Sequence, residues 1–160
     1  MLSVVLIHPE IPWNAGNVGR TCAAVGARLH LVAPLGFSLS ERRLRRAGLD
    51  YWEKLAPTVH ESLEEFLRFL PVDADVHAFS AEGERSYWDA GYRADSWLIF
   101  GGESGGLPAP LRELWRERLR RVPMRADARS LNLSTTAALA VYEAIRAVEG
   151  PRWDPGPTTR

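Results

Sequence analysis

The chain has 160 residues, 46% of them hydrophobic and 25% charged, a balance that suits one soluble globular domain rather than a disordered or fibrous protein. Its 20 basic and 20 acidic residues cancel, so bulk charge points to no nucleic-acid partner and any grip on anions must come from local clusters. A single cysteine, Cys22, excludes an internal disulfide and a cysteine-cluster zinc site. No apolar run reaches the length of a membrane span, and MLSVVLIHPE lacks the basic opening of a signal peptide, so the expectation is a cytoplasmic protein without a membrane partner.

In chain order, LSVVLIH (2–8) is a β-branched run that reads as a buried strand. EIPWNAGN (10–17) reads as a loop, punctuated by Pro, Asn and Gly. VGRTCAAVGA (18–27) reads as a short helix and LHLVAP (29–34) as a second strand. Ser38 and Glu41 form a capping-box pattern ahead of a short basic helix. LAPTVH (55–60) is a candidate strand, and SLEEFLRFL (62–70) an amphipathic helix with Leu63, Phe66, Leu67 and Leu70 on one face. ADVHAFS (74–80) and SWLIFG (96–101) are strands; PAPLRELWRERL (108–119) is a helix with Pro in its first turn. RRVPM (120–124) is a last short strand, and a helix over about 134–148 closes the domain. The predicted organisation is one domain over 1–149 and a loose, flexible tail over 150–160.

Strands alternating with helices predict an α/β fold, a mostly parallel sheet flanked by helices. Such sheets bind ligands outside the carboxyl ends of their strands, which singles out the loops 9–20, 101–107 and 124–133. Of the 20 basic residues, 19 are Arg. One group is Arg42, Arg43, Arg45 and Arg46; another runs from Arg116 to Arg129. Planar guanidinium forks suit phosphate contacts.

Gly102-Glu103-Ser104-Gly105-Gly106 matches the G-x-S-x-G pattern of a hydrolase nucleophile. That chemistry needs its histidine after the serine, and His8, His30, His60 and His77 all precede Ser104. Four glycines in six positions exceed the needs of one turn, so something is expected to approach this backbone closely. NAGNVGR (14–20) lacks the spacing of a dinucleotide fingerprint and the ending of a Walker loop. Arg20, read as lying at a helix start, opposes the positive end of the helix dipole and should have a partner such as a phosphate. In RSLNLSTTAALAVYEAIR (129–146), Ser130, Asn132, Ser134, Thr135 and Thr136 crowd the front of an apolar helix, more than capping alone requires.

Three of these segments together resemble the SpoU/TrmH type of SPOUT-class RNA methyltransferases. HPEIPWNAGNVGRTCAAVGARLHLVAPLGF resembles the first family motif, IFGGESGGLP the second, and VPMRADARSLNLSTTAALAVYEAIR the third. RRLRRAGLDYW resembles the small single-domain branch that acts on the tRNA wobble nucleotide. The resemblance implies a C-terminal trefoil knot, a feature nearly absent elsewhere, and a homodimer whose sites are completed across the interface. It implies S-adenosylmethionine as cofactor, touched by Phe79, Gly101, Gly102, Val122, Ser130, Leu131 and Asn132. It implies an RNA substrate, tRNA first, with ribose 2′-O-methylation as the reaction; another tRNA or rRNA site, or a non-catalytic RNA-binding homologue, stays open.

The cofactor's sulfonium carries the activation of the leaving group, so no metal is expected. By the same resemblance Arg20, Asn14 and Tyr142 are candidate catalytic residues, and Arg129, Arg42, Arg43 and Arg46 candidate substrate-binding residues. An arginine stays protonated, with a pKa above about 12, so orienting a phosphate or stabilising a developing alkoxide suits Arg20 better than acting as a base. Two positions depart from the family pattern: Gly105 stands where Arg is common, and Glu82 where Lys is common. Each removes a cation that could hold tRNA.

Overall fold

A computed structural model describes residues 1–38, 52–150, 153, 154 and 156. The basic segment with Arg42, Arg43, Arg45 and Arg46, the proposed helix after Ser38, and most of the tail lie outside the described residues. Seven strands form one sheet: β1 (Ser3–Ile7), β2 (Arg28–Val32), β3 (Thr58–His60), β4 (Val76–Phe79), β5 (Arg85–Ser86), β6 (Trp97–Phe100) and β7 (Leu119–Arg121). Their spatial order is β3-β2-β1-β6-β4-β7-β5, and every pairing is parallel. The expected parallel α/β sheet is thus present. All the carboxyl ends of the strands lie along one edge, where such sheets bind ligands.

Strand β1 is an interior strand buried on both faces, as its uninterrupted run SVVLI requires. Val4 and Leu6 point to one side with Leu29, Leu31, Leu98 and Phe100; Val5 and Ile7 point to the other with Val32, Ala78 and Ile99. The first side is covered by helices α1 (Pro12–Val25) and α5 (Leu133–Glu149). These two helices also pack on each other, through Ala15, Val18 and Cys22 on α1 and a stripe of Ala137, Ala140, Val141, Ala144 and Ile145 on α5. That spacing is one face of an α-helix, and its small residues let the helices come close. The second side is covered by α3 (Leu63–Phe69) and α4 (Ala109–Leu114), which bury Phe66 and Leu111. Ser62 caps α3 by accepting from the Glu65 amide, while Glu65 accepts from Glu61.

Several element boundaries differ from the sequence reading. Residues 12–17 are helical, not loop: α1 opens at Pro12, a residue suited to a first helical position because its missing N–H has no intrahelical partner there. Arg20 therefore lies in the body of α1, and the helix-start argument for it does not hold. Gly19, within the predicted helix 18–27, is a packing glycine: a Cβ there would sit 2.7 Å from the Trp52 ring, carried by the single turn α2 (Trp52–Leu55). The candidate strand 55–60 is reduced to β3. The helix of 108–119 ends at Leu114 and gives way to a 3-10 turn at Arg116–Arg118; β7 follows at Leu119, leaving 122–124 outside the sheet. Strand β5, only two residues long, carries no sequence signal. Among the described residues no helix is long and apolar enough to cross a membrane.

At the β2–β3 edge, His30 and His60 are both buried; their ring nitrogens lie 3.2 Å apart, among Phe66, Phe69 and Trp97. Burial first, then the neighbouring His60 and Arg28, push His30 down to about 4. A base whose folded pKa is depressed favours folding above its unfolded value, near 6.5, and loses that contribution as pH falls toward 4. The unfolding free energy is expected to fall between pH 6.5 and 4 with an added slope approaching about 1.4 kcal/mol per pH unit for one proton. Urea titrations across that range check it, and a His30→Asn chain should show the shallower decline.

Candidate functional site

A cavity of about 490 Å³ opens at the carboxyl ends of β1, β6, β4 and β7. Its walls come from the turns after each of these strands: Ile11 and Asn14, Gly101 to Leu107, Ser80 to Glu82, and Val122 with Ser130 to Leu133. The three loops expected from sequence converge here, and the turn after β4 joins them. His8, at φ 51°, turns the chain sharply out of β1 and starts the approach to α1.

One chain of hydrogen bonds ties the walls together. Asn132 Nδ2 donates to Asn14 Oδ1 at 2.9 Å, and Asn14 Nδ2 donates to Glu103 Oε1 at 2.8 Å. Glu103 also accepts from the Glu10 amide at 2.7 Å and the Ile11 amide at 3.2 Å. Helix α1 has no side-chain cap of its own and no acidic residue in its first turn. The Glu103 carboxylate does both jobs from the far loop, accepting from amides at the helix entry and facing the positive end of the dipole. At the other end, Asn132 Oδ1 accepts from Ser134 N and Thr135 N and so caps α5. Asn14, itself 5% exposed, has both ends of its amide engaged.

The glycines of the second loop act differently from expectation. The backbone that approaches Gly101 and Gly102 is the protein's own. A Cβ on Gly101 would overlap the Gly106 and Leu107 backbone, and one on Gly102 would lie 2.6 Å from the His8 carbonyl. Gly105, by contrast, has nothing within 4 Å of a Cβ position and faces the cavity. Ser104 Oγ donates to Glu10 at 2.6 Å, and this hydroxyl with the Ser104 amide holds the Glu10 carboxyl below its ordinary range. A serine paired with a carboxylate in this way lacks the imidazole of a hydrolase nucleophile. His30, His60 and His77 are buried away from the cavity, and burial pushes the Cys22 thiol up to about 12, far from a reactive thiolate.

Phe79, Gly101, Gly102, Val122, Ser130, Leu131 and Asn132 all line the cavity, and Asn14 stands with them. Phe79 stacks on Phe100 with ring centroids 4.6 Å apart, giving one wall an aromatic base. Arg20, Arg129 and Tyr142 do not line it. Arg20 follows Asn14 by six residues, a turn of about 240° around the helix, so it emerges on the outer face. Tyr142 lies on the outward stripe of α5 and is 50% exposed. Within the second arginine group, Arg118 donates to Ala74 O and Arg120 to Glu117 O and Leu119 O, so these two serve the fold rather than a phosphate. Sequence reasoning missed Glu103, because its partners are some 90 residues distant, and it missed Arg112, whose place on α4 puts it at the cavity rim.

Replacing Glu103 by Ala is expected to lower stability by about 2 kcal/mol, since charge-assisted bonds and a helix cap are lost together. A double-mutant cycle with Asn14→Ala should give a coupling of about 1 kcal/mol in urea denaturation; strictly additive losses would show that the amide–carboxylate contact contributes nothing.

Residues 1–142 match the family described as SpoU rRNA Methylase. The chain is 48% identical over 148 residues to the tRNA (cytidine(34)-2′-O)-methyltransferase of Burkholderia cenocepacia, an alignment spanning 91% of this chain and 95% of that protein. A solved structure described by its work on 2-OH methylation of C/U34 on tRNA is 50% identical, superposes with a TM-score of 0.86, and is matched over 94% of this chain and 97% of its own. An AdoMet-bound rRNA methyltransferase from Sinorhizobium meliloti is 29% identical with a TM-score of 0.75, over 91% of this chain and 56% of that one. A family match across most of the chain, with the same fold and near-complete coverage of close relatives, leads to one conclusion: this protein belongs to the SpoU methylase family.

Proposed function

We propose that the protein is an S-adenosylmethionine-dependent 2′-O-methyltransferase of the wobble nucleotide, cytidine or uridine 34, in tRNA. The observation that carries this reading is the single cavity in which the turns after β1, β6, β4 and β7 meet, in a chain so similar to enzymes named for that reaction. The cavity's size lies within the roughly 300–1,000 Å³ of small-molecule sites. Its chemistry fits the cofactor. Phe79, Val122 and Leu131 offer apolar surface to an adenine, while the turns at Gly101, Gly102 and Ser130 offer peptide groups to its polar edge. When bound, S-adenosylmethionine supplies a methyl group already activated by its sulfonium.

The chain's own groups hold and orient. Asn14, fixed at both ends of its amide, positions the wall against which the ribose sits. Arg20 stabilises negative charge on the ribose oxygen or holds the adjoining phosphate, a role that fits a group that stays protonated. The family resemblance implies a homodimer with shared sites, and in that reading Arg20 and Tyr142, on the outer faces of α1 and α5, serve the cavity of a second copy of the chain. Thr135, Leu139, Tyr142 and Arg146 form the outward stripe of α5, with Leu139 and Tyr142 supplying exposed apolar surface for that interface. Arg129, Arg42, Arg43 and Arg46 grip the RNA backbone. The resemblance also implies a C-terminal trefoil knot, and the segment that would form it is the one after β7 that ends in α5, packed on α1. Residues 1–149 act as one domain in the cytoplasm, with no metal in the reaction.

Incubation with tRNA and methyl-labelled cofactor should place label on the 2′-oxygen of nucleotide 34; label on another nucleotide would reassign the substrate. Arg20→Ala is expected to slow turnover by about 100-fold while S-adenosylhomocysteine affinity in calorimetry stays within about twofold, and unchanged turnover would remove Arg20 from the mechanism. Leu139→Arg should shift the protein to monomer in sedimentation and abolish transfer together, as a site shared between two copies demands.

A further inference from the structure

The cavity wall is mostly uncharged. Among the described residues its charged members are Glu82, Glu103, Arg112 and Arg120. Two of these are already committed. Both oxygens of Glu103 accept hydrogen bonds at the entry to α1, and the buried Arg120 donates through Nη1 to the carbonyls of Glu117 and Leu119, back toward the start of β7, with its Nε buried and unpartnered. Arg112 on α4 and Glu82 after β4 remain. They pair with each other at 3.5 Å, at the rim that divides this cavity from a neighbouring charged groove lined by Glu84, Arg85, Glu113 and Arg116. Arg112 is one-third exposed and Glu82 two-thirds exposed, so neither is locked in place.

The proposed cofactor is chemically asymmetric. One end is a neutral purine; the other is an amino acid carrying an ammonium and a carboxylate side by side. We propose that the Arg112–Glu82 pair is the receptor for that amino-acid end, with the Arg112 guanidinium taking the carboxylate and the Glu82 carboxylate taking the ammonium. A zwitterion meeting a pair of opposite charges exchanges one ion pair for two without leaving a charge unmatched. A guanidinium fork matches a carboxylate in plane, and a carboxylate accepts from an ammonium. The acidic residue at position 82, which as a departure from the family pattern reads as a lost grip on tRNA, acquires a cofactor role. The inference rests on the cofactor reading of the cavity.

Calorimetry with two ligands tests it. S-Adenosylhomocysteine carries the amino-acid end; 5′-methylthioadenosine keeps the purine nucleoside and lacks that end. Arg112→Ala should weaken S-adenosylhomocysteine by about tenfold, the loss expected of a charge-assisted contact at an open rim, and leave methylthioadenosine within about twofold. Glu82→Gln, at an exposed side chain that the fold does not need, should weaken only S-adenosylhomocysteine, by about threefold, and Arg112→Lys should restore part of the loss. If both ligands bind the natural chain and Arg112→Ala and Glu82→Gln weaken them equally or not at all, the receptor role is wrong while the cofactor reading stands. If the natural chain binds neither ligand, the cofactor reading itself fails, and this inference with it.

Discussion

The site depends on one problem of helix chemistry. Helix α1 begins at Pro12 behind Ile11, with no side chain nearby in sequence to satisfy its entry amides. Glu103, 93 residues from Glu10, supplies the carboxylate. In doing so it pins the glycine loop after β6 against the helix, and Asn14 extends the link to Asn132, the cap of α5. Three segments far apart in sequence are thus held by groups that would each be left unsatisfied if another moved. A mostly buried amide such as Asn14 makes that arrangement cooperative, because losing one partner exposes the full cost of the other.

The sheet makes this possible by bringing all its strand ends to one edge. Parallel pairing gives β1, β6, β4 and β7 a common direction, so four turns that have nothing in common in sequence share one rim. The hydrophobic layers on either side need only close packing, and on one side the small buried residues of α1 and the alanines of α5 supply it. Polar work is left to the turns. The division is clear at β6: Leu98 and Phe100 serve one core and Trp97 and Ile99 the other, yet the next residue, Gly101, is already part of the cavity wall.

The sheet was legible because its strands carry strong local signals. LSVVLIH and SWLIFG are apolar enough to be strands without any partner in view, and α3 announces itself through Ser62 and its leucine face. What failed was whatever is decided at long range. Asn14, Gly16 and Asn17 look like loop punctuation, yet they are helical, with a carboxylate from the loop after the neighbouring strand β6 satisfying the helix entry. That one misplacement put Arg20 at a helix start, when it lies in the body of α1. Gly101 and Gly102 are positions of close approach, as their clustering in the sequence implies, but the approaching body is the chain itself. Strand β5 has two residues, too few for any periodicity. The seven residues that the resemblance singles out for the cofactor do gather at one cavity, because most of them stand where motif and turn coincide at strand ends; the pairing of Glu82 with Arg112 has no signal until α4 and the turn after β4 are placed side by side.

The glycine loop also divides the site into parts that evolution can alter and parts it cannot. Even alanine is shut out at 101 and 102, where the chain already touches itself, so the floor of the cavity is fixed by steric contact. Three positions later, Gly105 looks into open space. A side chain placed there would meet open space and leave the floor undisturbed, so position 105 can change in size and charge without cost to the cavity that the loop encloses.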